Sequence, residues 1–198
     1  MLAKGGKSCL AEGSNAATRA IEIDPRYYLG HMTLGGCELY KRDLDGATIS
    51  LRRAIDLNPS FPVSYNQLIS CLTNAGRPYD ALGYIEPLDR ISPNDPFHGF
   101  YRCIRALTYF FVGDDAAAIE CAEASLSYHP VWLASEVVLI AASQRSGRRA
   151  EAARAAGRFR SNHGAMTAGA LKRQFILKHE RDFAMLEEQL RAAGLLVT

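Results

Sequence analysis

The residues best suited to catalysis stand near the N-terminus, where Gly5, Gly6, Lys7 and Ser8 match the end of a phosphate-binding loop. In such a loop, backbone amides and the lysine hold the phosphates of a nucleotide. The motif also requires a glycine five residues before Gly6, where Met1 stands, and a preceding strand that the chain cannot supply. The sequence therefore does not predict a nucleotide site here.

Metal and thiol chemistry lack the residue spacing that they need. The five histidines are spread over different predicted helices and turns, at positions 31, 98, 129, 163 and 179, with no HExxH motif. The five cysteines, at positions 9, 37, 71, 103 and 121, include no CxxC pair, which indicates reduced thiols instead of a disulfide framework. We therefore expect no catalytic residues, no metal and no cofactor, and hence a protein that is not an enzyme.

The composition is that of a soluble globular protein, with 48% apolar and 22% charged residues. No apolar run approaches the roughly 18 residues of a membrane span, and the N-terminus lacks the pattern of a secretory signal. These features predict a cytoplasmic protein without a membrane partner.

Four phrases that end in proline recur along the chain: AIEIDP, AIDLNP, DRISP and LSYHP. The first three end at Pro25, Pro59 and Pro93, which are 34 residues apart, and the fourth ends at Pro130, after 37 residues. A period of this size is typical of a helical solenoid, in which each unit buries its apolar face against the next one. The period thus predicts the architecture.

Two further positions recur within the period. Each unit of 34 residues is counted so that its final proline falls at the thirty-second place, and the unit that Pro59 closes therefore opens at Tyr28. Small residues stand at the twentieth place, where helices approach closely: Ala47, Ala81, Ala118 and Ala152. Glycines that can adopt a positive φ stand at its fifteenth place and end the first helix of each pair: Gly76, Gly113 and Gly147. Arg42 replaces this glycine in the first complete unit, so we expect that turn to close differently.

The apolar spacing predicts helices on both sides of each turn and no strands. The predicted pairs are residues 27–40 with 44–57, 61–75 with 78–90, 97–111 with 115–128, and 131–145 with 149–161. Residues 9–23 are predicted to form the second helix of a pair whose first helix is missing or truncated to MLAKGGK. Two short amphipathic helices, near 166–178 and 182–193, are expected to cap the last pair and to stop at Gly194.

Stretches such as LGGCELYKRDLDGATISLRRAIDLNP and LISCLTNAGRPYDALGYIEPLDRISP resemble the tetratricopeptide repeat (TPR) family over residues 9–161. The resemblance implies an all-α, right-handed α-solenoid of antiparallel helix pairs, with an array at 1–163 and a helical cap at 164–198. The large aromatic residue that the family usually has at the fourth place is retained only at Tyr65. The other units carry His31, Arg102 and Glu136 there.

The resemblance also implies a partner-binding groove along the first helix of each pair. Carried over to this sequence, its residues are Leu29, Met32, Leu39, Tyr40, Asn66, Ser70, Asn74, Phe100, Leu107, Phe110 and Phe111. This groove would bind an extended segment or a helix of a protein partner through apolar anchors and amides. Two interpretations of Phe110 and Phe111 stay open: they form a wall of the groove, or they pack in the core.

The order of the C-terminal segments, SGRRAEAARAA, a basic helix, and an acidic helix that ends in LRAAGL, is similar to the C-terminal TPR region of bacterial adenylate or guanylate cyclases and related regulators. In those proteins a catalytic or DNA-binding domain precedes the repeats. The similarity gives one alternative function, the regulatory region of a cyclase or transcription regulator whose other domain is not in this sequence.

Charge is unevenly distributed. Residues 145–181 carry ten Lys or Arg against two Glu, a net charge of +8, while the remainder has 13 basic and 19 acidic residues, a net charge of −6. The candidate basic patch comprises Arg145, Arg148, Arg149, Arg154 and Arg158. It predicts attraction of an acidic partner, head-to-tail pairing in a homodimer, or a solvated face. A nucleic acid is a further alternative, disfavoured because the stretch lacks interleaved aromatics. The main prediction is a non-catalytic protein-interaction or self-association module.

Overall fold

A computed structural model describes the backbone of residues 2–93 and 97–197 and the side chains of residues 9–93 and 97–196. The chain forms two compact units, residues 1–93 and 94–198. Each unit consists of successive packed helices, and the predicted all-α helical solenoid fold is confirmed.

The first unit contains six helices in the part of it that is described: α1 (Leu2–Ile23), α2 (Tyr28–Tyr40), α3 (Leu44–Leu57), α4 (Pro62–Asn74), α5 (Pro78–Leu82) and α6 (Ile85–Ile91). The predicted bounds of α2, α3 and α4 hold to within one residue. The single helix predicted at 78–90 is wrong, because Pro87 has no N–H for the carbonyl of Gly83 and its ring would clash with that carbonyl. The helix ends at Leu82 and a new one begins at Ile85, so that Pro87 lies in the first turn of α6.

The second unit contains α7 (His98–Val112), α8 (Asp115–Tyr128), α9 (Leu133–Arg145), α10 (Arg149–His163), α11 (Ala168–Gln174) and α12 (Glu180–Ala192). Its largest fully buried side chains come from every one of these helices except α8, and Ala118, Ile119 and Ala122 of α8 join the same core. The last two helices therefore cover the final pair, as predicted for a cap.

A short pair of strands closes the second unit, contrary to the prediction of no strands. Met166–Thr167 (β1) runs parallel to Leu196–Val197 (β2). Gly164 and Gly194 have φ values of 79° and 71°, and each redirects the chain just after a helix so that two extended residues meet. The burial of Met166, Leu195 and Leu196 fixes this arrangement.

The turns between paired helices share one hydrogen-bonding pattern. Gly76, Gly113 and Gly147 adopt positive φ as predicted. Arg42 does so too, with a φ of 66°, and the amides of Arg42 and Asp43 donate to the carbonyls of Leu39 (3.0 Å) and Glu38 (2.9 Å). This is the Schellman arrangement of the glycine turns. The expectation that the Arg42 turn closes differently is therefore wrong.

Small residues allow the helices of a pair to approach closely. The four alanines at the twentieth place of the repeat, including Ala47, are fully buried. A β-carbon on Gly35 of α2 would lie 2.6 Å from Cγ of Leu51 on α3. The backbone of α2 thus rests directly against a leucine of its paired helix.

Two residues at the fourth place of the repeat, His31 and Tyr65, anchor the start of their helices. His31 Nε2 lies 3.0 Å from the carbonyl oxygen of Pro25. The Tyr65 hydroxyl donates to the carbonyl of Pro59, at 3.1 Å. Both side chains thus reach back six residues to the proline that ends the preceding helix, so His31 and Tyr65 serve the same structural role.

Glu136, at the fourth place in α9, has another role. Its carboxylate is buried, accepts a hydrogen bond from Asn162 Nδ2 (3.1 Å), and lies 2.6 Å from His163 Nε2. Glu136 therefore connects the start of α9 to the end of α10 by polar contacts, where the TPR family usually packs an aromatic ring.

Candidate partner-binding site

In the first unit, the candidate groove residues of α2 form one stripe. Leu29, Met32, Gly36 and Tyr40 are spaced so that they share a helix face. Leu29 and Met32 are half-buried, and Tyr40 is 62% exposed. Leu39, also predicted to line the groove, is buried instead, with 5% of its surface exposed. The accessible part of the candidate groove is therefore Leu29, Met32 and Tyr40.

Gly36 leaves space in this stripe that Gln67 of α4 enters. The Nε2 atom of Gln67 lies 3.2 Å from the position that a β-carbon on Gly36 would take. Gln67 could not be recognised from the sequence, since no repeat position or motif marks it. The sequence did contain one indication of this contact. Gly36, at the ninth place of the repeat, has no side chain and so makes room for a side chain from the next helix pair.

The amides predicted for α4 are less accessible than a groove requires. Asn66 is 2% exposed, and its Oδ1 has no hydrogen-bond partner among the described residues. Asn74 is buried, and its Nδ2 donates to the carbonyl (2.7 Å) and the hydroxyl (3.2 Å) of Ser70. Asn74 is thus engaged within its own helix, and only the half-buried Ser70 is open to contact.

In the second unit, the structure separates the two neighbouring phenylalanines. Phe110 is 0% exposed and belongs to the core formed with residues of α8, α9 and α10, as does the buried Leu107. Phe111 is half-buried and packs against that core, with its ring centroid 5.4 Å from that of Phe110. Phe110 and Leu107 are therefore core residues, because α7 packs against both α8 and α9.

Phe100 keeps partial access. Its side chain is half-buried, and its ring centroid lies 5.5 Å from that of Trp132. Of the α7 residues that were predicted to form an apolar wall, Phe100 and Phe111 therefore remain accessible to a partner.

The five arginines of the candidate basic patch do not form one surface. Arg145 contacts Asp115 and Phe110. Arg148 lies 3.8 Å from Glu151. Arg149 precedes Arg154 by five residues, which places the two about 140° apart around α10. It precedes Arg158 by nine residues, which places these two about 180° apart. Only Arg154 and Arg158 share a face, so a single continuous basic stripe is absent from this helix.

Most of the cysteine thiols are buried. Burial raises the pKa of Cys71 and of Cys121, and raises the pKa of Cys103 to about 11. The Cys71 thiol donates to the carbonyl of Leu44, at 3.1 Å. These thiols are protonated at neutral pH and pack between helices, while Cys9 is exposed.

Gly5, Gly6, Lys7 and Ser8 lie within α1, so their backbone is helical; their side chains are outside the described part of the chain. A phosphate-binding loop requires amides that converge on an anion, and a continuous helix does not provide them. Among the described residues, no group of His, Cys, Asp and Glu could hold a metal ion. None of the described helices is both long enough and apolar enough to cross a membrane.

No protein-family model and no curated protein matches the chain. Solved structures do match. The chain is similar to PilW, a type IV pilus biogenesis factor, with a TM-score of 0.74, 18% identity, and coverage of 96% of this chain and 89% of that one. It is also similar to TTC0263, a thermophilic TPR protein of Thermus thermophilus, with a TM-score of 0.64, 14% identity, and coverage of 96% and 95%.

A third similar structure is YrrB, described as a TPR protein with an unusual peptide-binding site. The TM-score is 0.64 at 13% identity, with coverage of 90% of this chain and 93% of that one. The chain has the tetratricopeptide fold. Because the sequence identities are low, the similarity to TPR structures establishes the fold of the chain and does not identify its binding partner.

Proposed function

We propose that this chain is a member of the TPR family and a non-catalytic protein-interaction module. The observation that carries the proposal is the stripe on α2, where the half-buried Leu29 and Met32 and the exposed Tyr40 share one helix face. Partly exposed apolar and aromatic side chains on a rigid helix suit the anchors of a bound peptide. The tetratricopeptide fold supports the same conclusion, because similar structures include a protein described as having a peptide-binding site.

The partner would be a protein segment with apolar anchors, bound in an extended or helical conformation. In the first unit, Met32 and Tyr40 would contact these anchors and the half-buried Ser70 would hydrogen-bond to backbone groups. In the second unit, Phe100 and Phe111 offer a separate aromatic contact. Gln67 adds an amide beside Gly36.

Several groups that are capable of acid, base or nucleophilic chemistry have structural partners. Asp115 is bonded to Arg145, Glu136 to Asn162 and His163, and Cys71 to the carbonyl of Leu44. Catalytic groups need access to a substrate and a matched pKa. These residues instead connect helices, which supports a role without catalysis.

The test is partner capture from source cells with three forms of the chain, followed by quantitative mass spectrometry. Met32→Asp with Tyr40→Asp places charge on the α2 stripe. Ile49→Asp is the matched control, because Ile49 is apolar and 72% exposed but lies on α3. We expect the double variant to stay folded and to lose a protein that the wild type and the control retain. Equal retention by all three forms would reject the α2 stripe as the binding surface.

The other functions that the sequence suggested stay predictions: a cyclase or transcription-regulator region, homodimer formation, and nucleic-acid binding. The nucleic-acid hypothesis has the weakest support, since the arginines of α10 are divided between opposite faces. Affinity for nucleic acid that falls steeply with added salt and is lost on Arg154→Glu with Arg158→Glu would revive it.

A further inference from the structure

A pocket with a volume of about 240 Å³ lies in the second unit, where residues of α8, α9 and α10 meet. It is distinct from the proposed partner surface on α2. The lining residues that matter here are Glu123 of α8, Leu139 and Ser143 of α9, and Arg154, Ala155 and Arg158 of α10. The volume equals that of about eight water molecules in the liquid, so the pocket fits a small molecule and is smaller than a drug-sized site.

Opposite charges line this pocket without pairing to each other. Arg154 and Arg158 are exposed, stand one helical turn apart, and form no ion pair within 4.0 Å among the described residues. Glu123, on α8, also has no such partner there. The other acidic residue of the pocket, Glu151, lies 3.8 Å from Arg148. Two cations and one anion thus face the same space with a gap between them, and a ligand with both charges could bridge it.

Two apolar side chains also line the pocket. Leu139 and Ala155 are buried residues that line it. Ser143 is 1% exposed and also lines it.

We propose that this pocket binds a small zwitterion, an α-amino acid with a short apolar side chain. Its carboxylate would accept hydrogen bonds from the guanidinium groups of Arg154 and Arg158, which suit a planar carboxylate. Its ammonium group would donate to Glu123 and to the Ser143 hydroxyl. Its side chain would cover Leu139 and Ala155. This site would give the chain a small-molecule ligand in addition to any protein partner.

The proposal is tested by isothermal titration calorimetry with three probes. L-Valine carries both charges, L-valinamide lacks the carboxylate, and N-acetyl-L-valine lacks the ammonium group. We expect L-valine to bind, and each analogue to bind about tenfold or more weakly, because each loses one charge-assisted contact. Binding of N-acetyl-L-valine as strong as that of L-valine would show a simple anion site and overturn the proposal, and so would the absence of L-valine binding.

Variants test the location of the site. Arg154→Ala, Arg158→Ala and Glu123→Gln should each weaken L-valine binding about tenfold, while Arg149→Ala, on the opposite face of α10, should leave it unchanged. Circular dichroism and thermal unfolding of each variant confirm folding, which we expect to be unaffected at these exposed positions. An equal loss with Arg149→Ala, or no loss with Arg154→Ala and Arg158→Ala together, would overturn this assignment. None of these residues belongs to the α2 stripe, so either outcome leaves the protein-interaction proposal to its own test.

Discussion

Arg145, in the last turn of α9, donates hydrogen bonds from Nε and Nη2 to the carboxylate of Asp115 in the first turn of α8, at distances between 2.7 and 3.1 Å. The same guanidinium donates to the carbonyl of Phe110 and lies 4.0 Å from the centroid of the Phe110 ring. One arginine thereby connects three successive helices, α7, α8 and α9. Its role is structural, although its sequence position suggested a basic surface.

Arg145→Ala is expected to lower the free energy of unfolding by about 2 kcal/mol, since it leaves the mostly buried Asp115 carboxylate without its partner. Arg77→Ala is the control, because the Arg77–Asp80 pair is about half exposed and is worth less than about 1 kcal/mol. Urea unfolding at neutral pH measures both. Losses of equal size would show that the Arg145 cluster contributes no more than a surface ion pair.

Phe110→Ala is expected to lower the free energy of unfolding by about 3 to 5 kcal/mol, because it leaves a cavity in the core of the second unit. Phe111→Ala should cost clearly less, since Phe111 is only half-buried. Urea unfolding of the two variants compares the same substitution at neighbouring positions. If Phe110→Ala were as stable as the wild type and had lost a protein partner, the groove interpretation of Phe110 would be correct after all.

The helices and turns could be predicted from the sequence because their signals are local. Proline, glycine and the three- and four-residue apolar spacing act within a few residues of where they stand. Phe110 and Phe111 show the limit of such reasoning. They are adjacent and chemically identical, and only the packing of α7 against α8 and α9 decides which one enters the core.

Two other residues show the same limit. Arg145 reads as a member of a basic stretch until the fold brings Asp115 beside it, 30 residues earlier in the chain. Position 42 holds an arginine where the other turns have a glycine, yet the rest of the turn forces Arg42 into the positive φ that glycine favours. The candidate site was therefore predicted in outline, and the accessibility of its residues depended on contacts between helices distant in sequence.

Arg42→Gly is expected to raise the free energy of unfolding relative to Arg42→Ala by about 1 kcal/mol. Both variants remove the arginine side chain, so the difference reports the backbone, and only glycine adopts a φ of 66° without steric cost. Thermal and urea unfolding measure this difference. Gly76→Ala, at the equivalent turn with a φ of 75°, should be destabilised by a similar amount. An alanine variant at position 42 as stable as the glycine variant would contradict the proposed strain.

Gly35→Ala is expected to cost about 1 to 3 kcal/mol, because its β-carbon would lie 2.6 Å from Cγ of Leu51 and must displace that side chain. Gly157→Ala is the matched control within helix α10, where a β-carbon would meet no atom within 4 Å. The free energy of unfolding of Gly157→Ala should rise by up to about 1 kcal/mol, because alanine has a higher helix propensity than glycine. Opposite signs in urea unfolding are the expected result, and a stabilised Gly35→Ala variant would disprove close contact between α2 and α3.

Cys103 should make stability fall at alkaline pH. Burial raises the pKa of its thiol from 9.0 to about 11, and the folded chain therefore retains the proton while the unfolded chain loses it. This contribution is fully present below pH 9 and is lost as the pH rises through the folded-state value near 11. Over that range the loss is on the order of 2 to 3 kcal/mol.

Cys103→Ala removes this ionisation, so its free energy of unfolding should decline less steeply than that of the wild type between pH 9 and pH 11. The two curves differ by a constant below pH 9, where loss of the thiol alone separates them. Urea unfolding across the pH range gives both curves, and parallel curves for Cys103→Ala and the wild type would mean that water reaches the Cys103 thiol in the folded chain.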